Sequence, residues 1–223
     1  MPTIDEVIDR LQDIDAALPE RDGVRQFNSL YLAVTQAVKA AAATFEDWPA
    51  TEFLDTTFAG LYFAALEASA QGIAAVPAAW RPLFQQRGNS RLAPLQFALA
   101  GMNAHINHDL PFALLETWQK RGTTPATNTP LHRDFERINH VLAAVEAQQK
   151  DRFIPPEWRA IDGLLLRLDD VVALWKVEAA RDAAWTNGHV IWSLRGTLAE
   201  RPFIETLAAT VQRASQALLI PLQ

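Results

Sequence analysis

The 223-residue chain reads as all-α, a single-domain multi-helix bundle built around a proline-kinked central helix. Three observations predict this. Apolar residues recur at helical spacing from Ile4 to Val211, which lines one face of each helix. Strict apolar–polar alternation, the mark of a half-buried strand, is scarce. Threonines and prolines stand at the ends of the periodic stretches, where helices begin and stop.

Ile4, Val7, Ile8, Leu11 and Ile14 form the first stripe, and Thr3 with Glu6 makes a capping-box pattern ahead of it. This helix is expected to end near Leu18-Pro19. After the turn at Asp22-Gly23, the positions Phe27, Leu30, Tyr31, Val34 and Val38 keep the period to about Ala43, ahead of a break at Trp48-Pro49. Thr51 reads as the N-cap of a third helix carrying Leu54, Phe58, Leu61, Tyr62 and Leu66. From Gly72 to Ser90, prolines and glycines interrupt any period and predict a loop with a short turn near Trp80. The central helix is expected from about Pro94 through Pro111 to Trp118, followed by a polar connection from Thr123 to Thr129. Thr129-Pro130 supplies N-cap and N1 signals for a helix with Leu131, Phe135, Ile138, Leu142 and Val145. A longer pattern joins Val171, Leu174, Trp175, Trp185 and Trp192, with Gly188 expected to bend or end it locally. Arg201-Pro202 opens a last helix with Phe203, Leu207 and Val211.

Composition narrows the class. With 49% hydrophobic and 21% charged residues the chain is an ordinary soluble globular protein, and at this size folding buries roughly 70% of the extended surface. No linker-like stretch divides it, so residues 1–223 are expected to form one domain. A net charge of -6 with no Lys/Arg run argues against nucleic acid and anionic membrane surfaces as partners. The absence of cysteine removes disulfides, thiolate ligands and thiol nucleophiles, which suits the cytoplasm. Met1 to Glu6 is acidic and amphipathic, unlike a signal peptide, and no apolar run reaches the ~20 residues of a membrane span. A soluble, cytoplasmic protein is expected, and no motif specifies an oligomeric state.

The run Gly101-Met102-Asn103-Ala104-His105-Ile106-Asn107-His108-Asp109-Leu110-Pro111 sets polar and ionisable side chains inside an otherwise apolar helix and then meets a proline. On a helix His105 and Asp109 share a face, as do Asn103 and Asn107, with His108 at its edge. Burying such groups costs several kcal/mol unless each finds a partner, so the cluster implies a polar network, a ligand or a metal. Pro111 has no N–H for the carbonyl of Asn107 and its ring crowds that turn, which predicts a kink and a free backbone acceptor.

Two further clusters add polar groups. Asp134 stands four residues before Ile138, at the border of a buried stripe, from which it is expected to face His105 and Asp109. His132 and His140 read as surface residues. Arg181, with Asp182 beside it, lies on a helix whose Trp and Val positions read as buried, placed to grip a carboxylate through a bidentate pair.

The strings Gly101-Met102-Asn103-Ala104-His105-Ile106-Asn107, Asp109-Leu110, Asp134-Phe135, Ile138-Asn139 and Arg181-Asp182-Ala183-Ala184-Trp185 together resemble domain-of-unknown-function family 5995, an uncharacterised and mainly bacterial group. Leu54-Asp55, Phe58-Ala59 and Tyr62 match that family's upstream helix, and the resemblance covers nearly the whole chain. It implies that His105, Asn107, Asp109, Asp134, Asn139, Arg181 and Trp185 are motif positions, while His108 falls at a variable one. It brings no reaction with it. More loosely, His105-x-x-x-Asp109 is similar to the His-x-x-x-Asp helix motif of the zinc-dependent phospholipase C and P1 nuclease families. Their repeated pairs and metal-binding N-terminal Trp have no counterpart here.

One imidazole and two carboxylates suffice for a single Zn, Mn or Fe ion with positions open to water or substrate. The most concrete reading is a metal-assisted hydrolase of a small polar substrate. In it His105, Asp109 and Asp134 hold the divalent metal and lower the pKa of its water, and Arg181 stabilises anionic charge. Asn103, Asn107, Asn139 and Trp185 form the supporting polar network. Two alternatives stand beside it: a metal-free enzyme with His105 as general base oriented by Asp109 or Asp134, and a non-enzymatic ligand-binding or scaffold protein whose polar cluster is a structural hydrogen-bond network. Seven Trp and eleven Phe read as core packing. Ser90 and Ser193 lack the setting of a nucleophile, and no glycine loop cradles phosphate.

Overall fold

The computed structural model describes residues 2–149 and 176–221, and among these every regular element is helical. In chain order they are α1 (Ile4–Ala17), α2 (Gly23–Ala40), a 3-10 turn (Ala42–Thr44), α3 (Trp48–Ala70), α4 (Arg81–Gln86) and α5 (Pro94–Ala104). A π-helical turn (His105–Asp109), α6 (Leu110–Arg121), α7 (Pro130–Gln149), α8 (Val177–Leu194) and α9 (Glu200–Leu218) follow. The all-α expectation holds. Val171, Leu174 and Trp175 lie outside the described residues. No helix among those described is long and apolar enough to cross a membrane.

Local signals explain most helix ends. The Thr3/Glu6 capping box closes in both directions, with Thr3 N–H donating to Glu6 Oε2 at 2.7 Å and Glu6 N–H to Thr3 Oγ1 at 3.3 Å. Asp22 caps α2 through Val24 N–H at 2.8 Å, and Arg87 grips the same carboxylate, which ties the end of α4 to the start of α2. Thr129 caps α7 as expected, accepting from His132 N–H at 3.2 Å.

Three boundaries differ from the sequence reading. Asp47 rather than Thr51 caps α3, accepting from Ala50 N–H at 3.2 Å, and Pro49 sits in the first turn. A proline there needs no N–H donor, so Trp48-Pro49 opens the helix instead of breaking the chain before it. Pro82 does the same for α4, a helix inside the stretch predicted as loop. Where the sequence predicts a kink, the backbone makes a π turn: Leu110 N–H reaches back five residues to the carbonyl of His105, and Pro111 follows in the first turn of α6. The wider turn accepts a proline ring that would meet the i−4 carbonyl in an α-helix, and the helix runs on to Arg121.

Together α5, the π turn and α6 form a central rod. α5 packs against α2 and α9, α6 against α3 and α8, and the π turn touches α3, α8 and α9. Enclosure on several sides is why the rod is apolar nearly all round and why its few polar residues stand out. Close approaches are made at three glycines. A Cβ on Gly23 would lie 2.4 Å from the Phe97 ring, and one on Gly101 would lie 2.4 Å from Phe27, so α2 and α5 interlock through two reciprocal ring-on-glycine contacts. At Gly188 a Cβ would meet Trp118 at 3.1 Å; α8 continues through this position to Leu194, so the residue marks a helix crossing and not the expected bend or end.

Candidate functional site

The π turn places two imidazoles against one carboxylate. His105 Nδ1 lies 3.0 Å from Asp109 Oδ2, and His108 Nδ1 lies 2.7 Å from Oδ1. Trp80, at the N-cap of α4, donates Nε1–H to Oδ2 at 2.9 Å. Burial favours protonation of Asp109, but the bonds from His105 and His108 prevail and hold its carboxyl below the usual range. An ionised carboxylate only accepts, so His105 carries its proton on Nδ1. Burial also pushes the His105 imidazole below the usual histidine pKa, against the opposing influence of Asp109. The ring is therefore neutral at pH 7, with a lone pair on Nε2. Its orientation is fixed by packing: Phe58 lies flat on it with ring centres 3.5 Å apart, and Tyr31 meets it edge-on at 4.7 Å.

His105 lines a cavity of about 60 Å³ between α2, α3, the rod, α7 and α8. At ~10–15 Å³ for each water centre, this is room for about four waters, for a comparably small molecule, or for the end of a longer one. The wall is apolar, including Leu30, Val34, Leu54, Met102 and Ile138, except at Tyr31, Thr51, Asp55, His105 and Arg181. Three polar atoms of those residues are buried without a hydrogen-bond partner among the described residues: His105 Nε2, Tyr31 Oη and Asp55 Oδ2. Thr35 Oγ1, one turn beyond Tyr31, donates to the Tyr31 main-chain carbonyl at 3.0 Å, so its own proton is not directed to the phenol. Leaving such a group unpaired costs about 1–3 kcal/mol, so three around one cavity require an explanation.

Electrostatics set the protonation of the cavity groups. Burial raises the Asp55 carboxyl to about 7, with Arg181 opposing and Glu52 reinforcing the shift. Burial and the nearby Asp55 charge raise the Tyr31 phenol well above its ordinary value, so it keeps its proton. Burial lowers Arg181 to about 10, which leaves it cationic at neutral pH. The cavity thus presents one neutral acceptor, one phenol donor, one carboxyl poised between donor and anion, and a fixed cation.

The predicted site residues divide between this cavity and the scaffold. His105 and Asp109 pair as their spacing implies, and Arg181 reaches the cavity wall from α8. Among the described residues Arg181 grips no carboxylate bidentately: its Nε donates to Asn139 Oδ1 at 2.7 Å and its Nη2 to the Phe135 carbonyl at 2.6 Å, while its guanidinium covers the Phe135 ring. Asp134 is turned away to the start of α3, where its oxygens accept from the backbone N–H groups of Glu46 at 2.8 Å and Asp47 at 2.7 Å. The set His105, Asp109 and Asp134 is therefore not assembled as ligands, and among the described residues no group of three His, Cys, Asp or Glu is arranged to hold a metal ion. Asn103 and Asn107 bond each other and α9, not the imidazole. Trp185 packs on Phe135 and Trp118 with its Nε1 buried and unpartnered, and His132 is half-buried against it instead of standing on the surface.

Tyr31 and Asp55 were not singled out by sequence reasoning. Tyr31 blends into the apolar stripe of α2. Asp55 carries a usable signal, a carboxylate four residues after Thr51 and three before Phe58, on the buried face of α3.

In comparison with known protein families, the model described as "Family of unknown function (DUF5995)" matches residues 4–221. No curated protein and no solved structure matches the chain. The looser likeness to zinc-dependent phospholipase C and P1 nuclease finds no support among these comparisons.

Proposed function

The chain belongs to DUF5995, a family whose description names no reaction, and from that premise we propose that it binds a small, mainly apolar molecule bearing a hydroxyl or carbonyl group in the cavity beside His105. The observation that carries this reading is the buried, unpartnered Nε2 of His105. A ring held so firmly at its other nitrogen, by a carboxylate itself held by two further donors, is preorganised to present that lone pair. A ligand hydroxyl would donate to Nε2 and accept from Tyr31 or the protonated Asp55, which removes the cost of the unpaired atoms. The apolar wall would select the rest of the molecule. A chain without cysteine suits the reducing cytoplasm, where we place this activity.

Phenol is a suitable probe. In protein labelled with 15N-histidine, added phenol should move the His105 Nε2 resonance saturably while Nδ1, held by Asp109, moves little. Failure of phenol and of small aliphatic alcohols and ketones to move it would remove the ligand reading.

Metal-assisted hydrolysis remains a second reading on one observation: an imidazole whose Nδ1 is held by a carboxylate is oriented as metal-ligating histidines are. In that reading added Zn²⁺, and not phenol, moves the Nε2 resonance and raises Tm.

A further inference from the structure

The ligand reading leaves open whether the cavity only holds its guest or acts on it, and the inference that follows rests on that reading. The side chains lining the cavity narrow the chemistry. Among the described residues that line it there is no serine, cysteine or lysine, and the hydroxyl of Thr51 is 3.4 Å from Asp134 Oδ2 and directed to it. Among these residues a covalent acyl or glycosyl intermediate would have to form on Asp55, His105 or Tyr31, the same groups that proton transfer uses. What remains is a neutral base, His105 Nε2, lining one small apolar space with two proton donors, Tyr31 Oη and Asp55 Oδ2, each of these atoms buried with no hydrogen-bond partner among the described residues.

We propose that this cavity catalyses proton transfer at the carbon next to the carbonyl of a small ketone or aldehyde, with His105 as the base and Tyr31 and Asp55 as donors to the carbonyl oxygen. The C–H bond breaks and its proton moves to Nε2. Its electron pair becomes the C=C bond of the enol, and the carbonyl π pair moves onto oxygen, where Tyr31 and Asp55 stabilise it or Asp55 supplies a proton. When the imidazolium proton swaps with solvent before it returns to the same carbon, the result is hydrogen exchange there; in a β,γ-unsaturated ketone, return of the proton to the far carbon of the dienol completes an isomerisation. No oxidant, reductant or co-reactant is needed. Asp109 is a positioning residue, since its carboxylate fixes the Nδ1–H tautomer and stabilises the imidazolium that forms. Arg181 adds positive potential to the wall as the oxygen gains charge, and the apolar surface around it excludes water that would otherwise solvate the base.

The test is deuterium exchange. Acetone, butanone, cyclopentanone and cyclohexanone are each incubated with the protein in D2O, and loss of the α-proton signal is followed by 1H NMR, with His105 Nε2 shifts reporting binding in parallel. Exchange of at least one ketone should exceed that in protein-free buffer. It should fall on the order of 100-fold in His105→Gln and about 10-fold in Tyr31→Phe and in Asp55→Asn. Tyr31→Phe keeps the ring and its packing, so it reports on the hydroxyl even where His105→Gln folds poorly. Asp109→Asn should displace the acidic limb of the exchange profile to lower pH, because the group that favours imidazolium is gone; a purely structural loss would lower the rate without moving that limb. Ketones that shift Nε2 without exchanging would overturn the proton-transfer inference and leave the ligand reading in place. Ketones, alcohols and phenol that neither shift it nor exchange would overturn both.

Discussion

Asp109 joins three donors from two parts of the chain, and its charge is what satisfies them. Asp109→Asn replaces an acceptor of three hydrogen bonds by an amide with one oxygen, so it should cost about 2–3 kcal/mol, whereas Trp80→Phe removes one donor and a little volume and should cost about 1–2 kcal/mol. Urea denaturation of both variants and of the double mutant should show strong coupling; additive losses would mean that Trp80 and Asp109 act independently. Titration gives a second prediction. Asp55 has a folded-state pKa of about 7 against about 3.9 when unfolded, so the stability due to its protonated form is complete below that lower value, is lost as pH rises to 7, and stays lost above. His105 is depressed when folded, so its contribution is present above the unfolded value of about 6.5 and is lost as pH falls through the folded one. Between pH 4 and 6.5 the two slopes oppose each other. Asp55→Asn should therefore gain on the order of 2 kcal/mol over the parent at pH 8, allowing for partial solvent access, and nothing near pH 4. It should also expose the acid slope of His105. A constant difference between the two proteins across this range would contradict the assigned shift. The His105–Asp109 pair was legible in the sequence because both partners are four residues apart on one turn, whereas Trp80, 29 residues away, depends on how α4 lies against the rod.

At the scale of elements, the sequence marks where helices exist better than how their turns are wound or how close they come. The apolar period identified the rod from Pro94 to Trp118, but a one-residue insertion into a helix leaves most of that period intact, so the π turn at His105–Asp109 showed only as a polar run before a proline. Pro49 and Pro82 were misleading for the opposite reason: a proline stops a helix from its C-terminal side and starts one from its N-terminal side, and the residue alone does not say which. Gly188 read as a weak point in α8 because the neighbour that needs its missing Cβ, Trp118, lies on another helix. These glycines give a graded prediction. Gly101→Ala places a methyl 2.4 Å from the Phe27 ring, which packs on His105, and Gly23→Ala meets Phe97 equally closely. Each should cost about 1–3 kcal/mol through overpacking. Gly188→Ala meets Trp118 at 3.1 Å and should cost less, since a helix interior otherwise favours Ala over Gly by about 0.5–1 kcal/mol. Thermal denaturation that ranks Gly188→Ala as the most damaging of the three would overturn this account of the α2–α5 contact.

For the whole molecule, side-chain chemistry alone did not tell which helices face one another. Asp134 and Asp55 are both carboxylates on the buried sides of helices, yet Asp134 fastens α7 to the start of α3 while Asp55 lines the cavity. Asn103 and Asn107 show the same effect on the rod. They share a turn with His105 but serve the seam to α9, where Asn103 Nδ2 donates to the Val211 carbonyl and to Ser215 Oγ, both at 2.9 Å, and Asn107 donates to Asn103 at 3.0 Å. Gln96 adds donations to the carbonyls of Leu218 at 2.8 Å and Ile220 at 2.7 Å. Within α9 only Val211 and Ser215 are buried, while Phe203, Ile204, Leu207 and Leu218 pack half-buried against the core, so these polar bonds reinforce an apolar seam. Asn103→Ala leaves a buried carbonyl and a buried hydroxyl without their donor and should cost about 1–3 kcal/mol. If α9 is held mainly by this seam, the loss is local: amide hydrogen exchange should quicken across α9 while α2 and α5 keep their protection. The His105 Nε2 resonance should not move, because none of the bonds removed touches the imidazole. An equal rise in exchange over all helices would show that α9 is part of a single cooperative core, and a displaced His105 resonance would show that the seam and the cavity are one network.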